Sequence, residues 1–211
     1  MIRVILCDDH ALIRRGIRDT LSDAPDIEVV GEAGDYSELR SLLRTASCDV
    51  LVLDINMPGR SGLDVLHVLK DEGSTMKVLV VSMYPEEQYA IRALRAGAFG
   101  YVNKGGDPAL LVTAVRTVSQ GRKYVTPEIA QMLVESLTTP VLENAHEKLS
   151  DRELQTLVMI ASGKRLSDIA EELNLSPKTV SVYRARVLEK LGLSNNSEMT
   201  VYAIRHGLVG E

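Results

Sequence analysis

Short β-rich apolar runs alternate with amphipathic helical stretches through the first 120 residues, and residues 147–211 contain no strand-like run. No other feature restricts the fold as much. The strand candidates are Val4–Cys7, Glu28–Gly31, Val50–Asp54, Val78–Ser82 and Gly100–Asn103. Helical patterns lie around Leu12–Leu21, Ser37–Leu43, Leu63–Leu69, Glu86–Ala96 and Leu110–Ser119. Five strands alternating with five helices predict an open parallel sheet covered on both faces. The unbroken apolar runs of the third and fourth candidates suit strands buried on both sides. After Gly121 the rhythm changes. Gln131–Leu137 predicts a short helix opened by Pro127, and the polar stretch from Thr138 to Lys148 reads as a linker. Helices are then expected at Asp151–Ser162, Ser167–Leu173, Pro177–Leu191 and Ser197–His206. Ser150-Asp151-Arg152-Glu153 matches a capping box, and Ser176-Pro177 puts a cap residue before proline at the first helical position. The expected architecture is α/β plus all-α. A doubly wound five-stranded parallel sheet spans 1–120, a linker spans 121–146, and a four-helix domain spans 147–211.

Charge follows the same division. Residues 1–120 carry 13 Lys and Arg against 17 Asp and Glu, whereas residues 147–211 carry 9 of each. Within Ser176–Leu191 four cations, Lys178, Arg184, Arg186 and Lys190, face only Glu189. The net charge of −5 therefore hides a helix-sized basic patch in a neutral second half. The apolar runs fall far short of the roughly 18 residues a membrane span needs. Met1-Ile2-Arg3-Val4 enters a strand directly, without a signal peptide's apolar stretch. Cys7 and Cys48 offer neither a disulfide framework nor metal-ligand spacing. A cytoplasmic protein without membrane contact is expected.

Parallel sheets place their chemistry beyond the carboxyl ends of the strands. Here those ends carry Asp8-Asp9 after strand one, Asp54 at strand three, Ser82 at strand four and Lys104 after strand five. A lone aspartate at such a place is most often a cap or a turn residue. Five polar groups converging from four strands are not explained that way. Three clustered carboxylates repel one another unless a cation sits among them. A hard divalent ion with oxygen ligands, Mg²⁺, suits the cluster. The hydroxyl and the ammonium complete a clamp for an anion arriving at Asp54, and a phosphoryl group fits. His10 is set aside as a ligand because no second histidine is suitably spaced, and Cys7 reads as a small buried hydrophobe.

Asp8-Asp9, Leu53-Asp54-Ile55-Asn56-Met57-Pro58-Gly59, Ser82 and Tyr101-Val102-Asn103-Lys104 resemble the flavodoxin-like receiver domain of two-component response regulators. The resemblance covers about 120 residues. It implies that Asp54 is the phosphoacceptor, taking a phosphoryl group from a phosphohistidine on a cognate sensor histidine kinase. It implies Mg²⁺ held by Asp9 directly, Asp8 mainly through water, Asp54, and the Asn56 backbone carbonyl. Ser82 would donate a hydrogen bond to the phosphoryl group, Lys104 would pair with it, and Tyr101 would swing inward as the switch aromatic. One departure stands out: receivers commonly have proline after the lysine, and this chain has Gly105-Gly106, which loosens the loop.

In the second half, Ser167–Leu173, a turn at Asn174-Leu175-Ser176 and Pro177–Leu191 read as a helix-turn-helix. Projected at 100° per residue, Val180, Tyr183, Val187 and Leu191 form the core stripe. Lys178, Val182, Ala185 and Glu189 lie opposite, with Ser181 and Arg186 on the flanks. A face of small residues bordered by cations suits entry into a major groove. Residues 147–211 resemble the LuxR-type helix-turn-helix of the NarL/FixJ group. The carrying residues include Leu149-Ser150-Asp151-Arg152-Glu153, Asp168-Ile169-Ala170, Ser176-Pro177-Lys178-Thr179-Val180-Ser181-Val182-Tyr183 and Lys190-Leu191-Gly192. The resemblance implies that Ser181, Val182 and Ala185 face base edges, and that Lys178, Thr179 and Lys190 face phosphates, with Arg186 among the DNA contacts. It implies a dimer contact on the last helix through Glu198, Val201, Tyr202 and Arg205. Ala185 cannot make the bidentate guanine contact of a longer basic residue.

The combined expectation is a phosphorylation-activated transcription regulator that binds DNA, forms a homodimer on phosphorylation and meets RNA polymerase. It would not be an enzyme beyond assisting its own phosphorylation and dephosphorylation. An aspartate-nucleophile phosphatase is the competing class, but it wants a second acid two positions beyond Asp54, where this chain has Asn56. A constitutive DNA binder is disfavoured by the intact acid cluster, Ser82 and Lys104.

Overall fold

The computed structural model describes residues 1–84, 86–138 and 145–209. The chain divides into two compact units, residues 1–138 and 139–211. In the first, β1 (Ile2–Cys7), α1 (Ala11–Ser22), β2 (Ile27–Ala33), α2 (Tyr36–Thr45), β3 (Val50–Asp54) and α3 (Gly62–Asp71) alternate. They are followed by β4 (Lys77–Ser82), α4 (Glu86–Ala96), β5 (Gly100–Asn103), α5 (Pro108–Ser119) and α6 (Pro127–Thr138). The strands form one parallel sheet in the order β2-β1-β3-β4-β5. That order reverses direction beside β1 and β3, so the edge beyond Cys7 and Asp54 is the switch point where a crevice opens.

Every residue of β3 is buried, and only Lys77 of β4 is not. One layer of the core joins Val4, Leu6, Val52, Leu79 and Val81 to Ala114, Val115 and Val118 of α5. Helix starts follow local chemistry: Asp35 accepts from the Glu38 N–H, Ser61 and Asp64 form a capping box, and Asp107 caps a helix with Pro108 at its first turn. The segment after α5 is part of this unit. Tyr124 N donates to Phe99 O at 2.8 Å, and Tyr124 bridges Gly100 at the edge of β5. A Cβ on Gly100 would lie 2.8 Å from the Tyr124 carbonyl, so glycine permits that approach. Thr126 Oγ1 donates to Glu86 Oε2 at 2.8 Å, and Ile129 of α6 is fully buried.

The second unit opens with a 3-10 turn at Ala145–Lys148, then α7 (Asp151–Ala161), α8 (Leu166–Glu172), α9 (Pro177–Leu191) and α10 (Asn196–Arg205). Leu154, Leu157, Ile169, Val180, Val187, Met199 and Ala203 make its core. Among the described residues no helix is long and apolar enough to cross a membrane.

Candidate functional site

The carboxyl ends of the strands bring Asp8, Asp9, Asp54, Ser82 and Lys104 together. Asp54 is delivered by β3, and its backbone is held by close packing against α3. The N-terminus of α3 lies so near that a Cβ on Gly62 would sit 2.0 Å from the Asp54 carbonyl oxygen. Gly62 N donates to Ile55 O at 2.9 Å, which locks that approach. Lys104 Nζ lies 2.8 Å from Asp8 Oδ2 and 2.8 Å from Asp54 Oδ2. The three side chains are 4%, 2% and 2% exposed, so the ion pairs sit in a medium that screens them little.

Burial is the main force on Asp54 and pushes its carboxyl up to about 6. Lys104 opposes that rise, Asp8 adds to it, and the Asn56 backbone N–H favours the charged form. Ser82 Oγ accepts from Tyr84 N at 3.1 Å. Tyr101 is fully buried, and its hydroxyl donates to the Tyr84 carbonyl at 2.7 Å. The aromatic ring that the receiver resemblance marks as a switch thus lies inside in this conformation. Cys7, the last residue of β1, is buried, and burial chiefly pushes its thiol up to about 12, which disfavours the thiolate.

Ligand atoms of Asp8, Asp9, His10 and Asp54 lie within 4.8 Å of one another. Asn56 Oδ1 is buried without a hydrogen-bond partner, and so are oxygens of Asp8, Asp9 and Asp54 by donor geometry, despite the short charge contacts some of them make. Crowded carboxylate oxygens with unused lone pairs fit a hard cation. Histidine spacing alone sets His10 aside, yet its Nδ1 lies 2.7 Å from Asp9 Oδ1 with half the side chain exposed. Adjacency to the acid pair is the only sequence signal for it.

The second candidate site is the outer face of α9. Ser176 caps the helix by accepting from the Thr179 N–H at 3.0 Å, Pro177 follows, and Gly192 closes it at φ +65°. Asn174 takes the turn before it with φ +51°. Val180 and Val187 are buried, whereas Tyr183 and Leu191 of the expected core stripe are only half-buried. Lys178, Ser181, Val182, Ala185 and Arg186 are exposed, Val182 by 45%. Thr179 is half-buried, and its hydroxyl contacts Ser176 Oγ at 2.8 Å. Lys190 is engaged differently from its neighbours: its Nζ lies 2.7 Å from Glu153 Oε2, whose side chain is 2% exposed. It ties α9 to α7, a role the helix projection could not reveal.

On α10, Glu198, Val201, Tyr202 and Arg205 line one groove of about 400 Å³. Val201 is 47% exposed. The Glu198 carboxylate accepts from Ser194 N at 2.7 Å and Asn195 Nδ2 at 3.0 Å, and the Tyr202 hydroxyl meets His146 Nδ1 at 3.1 Å. Two of the four groups thus already have partners within the unit.

Residues 4–116 match the response regulator receiver domain model, and residues 147–203 match that of the bacterial regulatory proteins of the luxR family. The response regulator UvrY of Escherichia coli (strain K12) is 40% identical over 209 residues, covering 99% of this chain and 96% of the relative. The response regulator GacA of Pseudomonas viridiflava is also 40% identical, over 210 residues, with 99% and 98% covered. Among solved structures, RcsB from Salmonella enterica serovar Typhimurium, bound to promoter rprA in the presence of phosphomimetic BeF3-, is 28% identical with a TM-score of 0.64. That match covers 95% of this chain and 97% of the other.

Proposed function

This chain belongs to the two-component response regulators of the NarL/FixJ group, which join a receiver domain to a LuxR-type helix-turn-helix, and on that footing we propose how its own residues do the work. The protein is a phosphorylation-activated, DNA-binding transcription regulator. Asp54 is the phosphoacceptor. One carboxylate oxygen attacks phosphorus in line, a P–O bond forms, and the P–N bond to the imidazole of the kinase's phosphohistidine breaks. The imidazole leaves with the electron pair. Lys104 pairs with the arriving phosphoryl oxygens and Ser82 donates to one of them. Phosphoryl transfer of this kind is mostly positioning and charge neutralisation, which these groups supply.

Asp9, Asp8, Asp54 and the Asn56 backbone carbonyl would hold Mg²⁺. When bound, the ion offsets the negative charge of carboxylates and phosphoryl group together. The single observation that carries this reading is the buried Lys104 ammonium placed 2.8 Å from both Asp8 and Asp54. An ammonium held between two carboxylates at the sheet edge is placed to pair with a third anionic group, the phosphoryl group arriving at Asp54.

The receiver signals through Ser82 and Tyr101 to α9 and α10. Lys178 and Arg186 contact DNA phosphates, Ser181, Val182 and Ala185 meet base edges, and Thr179 chiefly holds the helix start. Lys190 keeps its place at the rim through Glu153. One helix-turn-helix reads few base pairs, so two copies on adjacent half-sites bind together, the homodimer meeting through Val201 and Arg205 beside Glu198 and Tyr202. RNA polymerase is the natural further partner, and the cytoplasm is where kinase, polymerase and DNA are met.

The test is labelling with acetyl phosphate in Mg²⁺. Wild type should gain one phosphoryl group and Asp54→Asn none. Substantial Mg²⁺-dependent labelling of Asp54→Asn would overturn the assignment.

A further inference from the structure

One side chain joins the loop that carries Lys104 to the loop after Ser82. Asn103, the last residue of β5, accepts the Gly105 N–H on Oδ1 at 2.8 Å. Its Nδ2 donates to the Tyr84 carbonyl at 3.1 Å. An N–H can only donate and a carbonyl can only accept, so these partners fix the orientation of the amide. A third bond, from Gly106 N to the Asn103 carbonyl at 3.1 Å, closes the turn.

Glycine at the two positions after Lys104 eases a close approach to Asn103. A Cβ at residue 105 would lie 3.2 Å from Asn103 Oδ1, and one at residue 106 would lie 3.3 Å from the Asn103 carbonyl. Without those side chains the loop folds tightly onto Asn103, in a turn where an asparagine side chain bonds the backbone two residues on. The glycines therefore do not leave the loop untethered. They let one amide pin it.

Lys104 needs such pinning. Its N–H donates to the Ser82 carbonyl at 2.8 Å, and its Nζ must lie between Asp8 and Asp54. Holding its backbone keeps the four-carbon stem within reach of both carboxylates at once. The Tyr84 carbonyl bonded by Asn103 also accepts the Tyr101 hydroxyl, and the Tyr84 N–H bonds Ser82 Oγ. Both phosphoryl-binding groups are thus referred to one junction.

We propose that Asn103 is a positioning residue for phosphoryl transfer: its amide holds the Lys104 loop in register with the loop after Ser82. This rests on the role of Lys104 as the phosphoryl-pairing cation. Asn103 is a tether and not a phosphoryl ligand; its effect on labelling runs chiefly through the Lys104 loop, which it ties to the loop after Ser82.

The experiment is a double-variant cycle on the full chain, read as the maximal rate of labelling by acetyl phosphate in Mg²⁺. Lys104→Ala should slow labelling about a hundredfold, and Asn103→Ala about tenfold, because small misplacements of a charged group are costly. The pair together should be no slower than Lys104→Ala alone, as expected of residues acting through one another. Asn103→Ser, whose hydroxyl can still bond the N–H two residues on, should recover to within about threefold of wild type. Independently of activity, exchange of the Gly105 amide should quicken in Asn103→Ala and slow again in Asn103→Ser. Losses that multiply in the double variant, or a Gly105 amide indifferent to Asn103, would overturn the proposal. If Lys104→Ala itself labels like wild type, the reading of Lys104 fails and this inference with it. If only Asn103→Ala is silent, the inference alone fails.

Discussion

The carboxyl edge of the sheet and the outer face of α9 solve opposite problems. At the edge, Asp8, Asp54 and Lys104 are taken out of water, each with a side chain no more than 4% exposed. On α9, Lys178, Ser181, Val182, Ala185 and Arg186 are held out in solvent. Buried charges must be matched to one another or they cost several kcal/mol each, so the edge is built by long-range packing. An exposed face needs only a rigid helix beneath it. In the proposed function the edge would draw its reactivity from crowded, desolvated charges, and the helix its selectivity from what its small side chains leave open.

The largest expected effect tests that difference through glycine. Gly62→Ala drives a methyl group into the Asp54 backbone and should cost the first unit about 3 kcal/mol or more. Gly192→Ala, at φ +65° with nothing within 4 Å, should cost the second unit only about 1 kcal/mol of conformational strain. Urea unfolding followed unit by unit measures both. Equal losses would show that packing against Asp54 is no tighter than an ordinary helix cap.

Next in size is Lys190→Ala, expected to cost the second unit about 1–2 kcal/mol because it leaves the Glu153 carboxylate buried without its cation. The loss stays small because Lys190 is itself 41% exposed and solvent screens the pair from that side. Burial pushes the Glu153 carboxyl up, but its bonds to Lys190 and Ser150 outweigh that and hold it below its ordinary value. Its contribution is therefore present above the ordinary glutamate range and is lost as pH falls through the lowered value. Unfolding of wild type and variant should converge in acid. A variant of wild-type stability with a salt slope of DNA binding reduced by about one would make Lys190 a phosphate contact instead.

Metal addition comes third. Mg²⁺ at ten times its dissociation constant should stabilise the first unit by about 1.4 kcal/mol and leave the second unchanged. Asp9→Asn should abolish the gain in thermal melts. Persistence of the full gain in that variant would remove Asp9 from the ligand set.

The smallest effects are on α9. Val182→Ala should change preference at one base position by about 1 kcal/mol, as loss of an apolar contact to a thymine methyl would. Lys178→Ala should weaken all sequences alike and lower the salt slope by about one. Binding to a randomised library at two salt concentrations separates the two. If neither variant alters sequence preference, a different face of α9 enters the groove.

Much of the fold and of both sites is legible in the sequence, for identifiable reasons. The apolar β-rich runs ending in Asp8, Asp54 and Ser82 predict strands, and parallel strands must bring their carboxyl ends to one edge. The 3.6 period of α9 separates Val180 and Val187 from Val182 and Ala185 because that separation is local. The place of His10 is not legible, because its approach to Asp9 depends on the turn between β1 and α1, for which sequence carries only adjacency. Lys190 has only its helical angle in the sequence, and Glu153, 37 residues earlier, is invisible to a helix projection. The bond from the Tyr101 hydroxyl to the Tyr84 carbonyl is likewise not legible, because it depends on the loop after Ser82 folding over β5.

By itself the sequence determined the strand and helix alternation, the capping of α7 and α9, and which charges a parallel sheet must gather. These follow from backbone periodicity and short-range hydrogen bonding. Only the tertiary structure decided how those charges are satisfied: Lys104 between two aspartates, Asn103 bonded to Tyr84, Gly62 against Asp54, Lys190 on Glu153. Each joins residues from different elements, and their meeting depends on sheet register and helix packing, which no local pattern encodes.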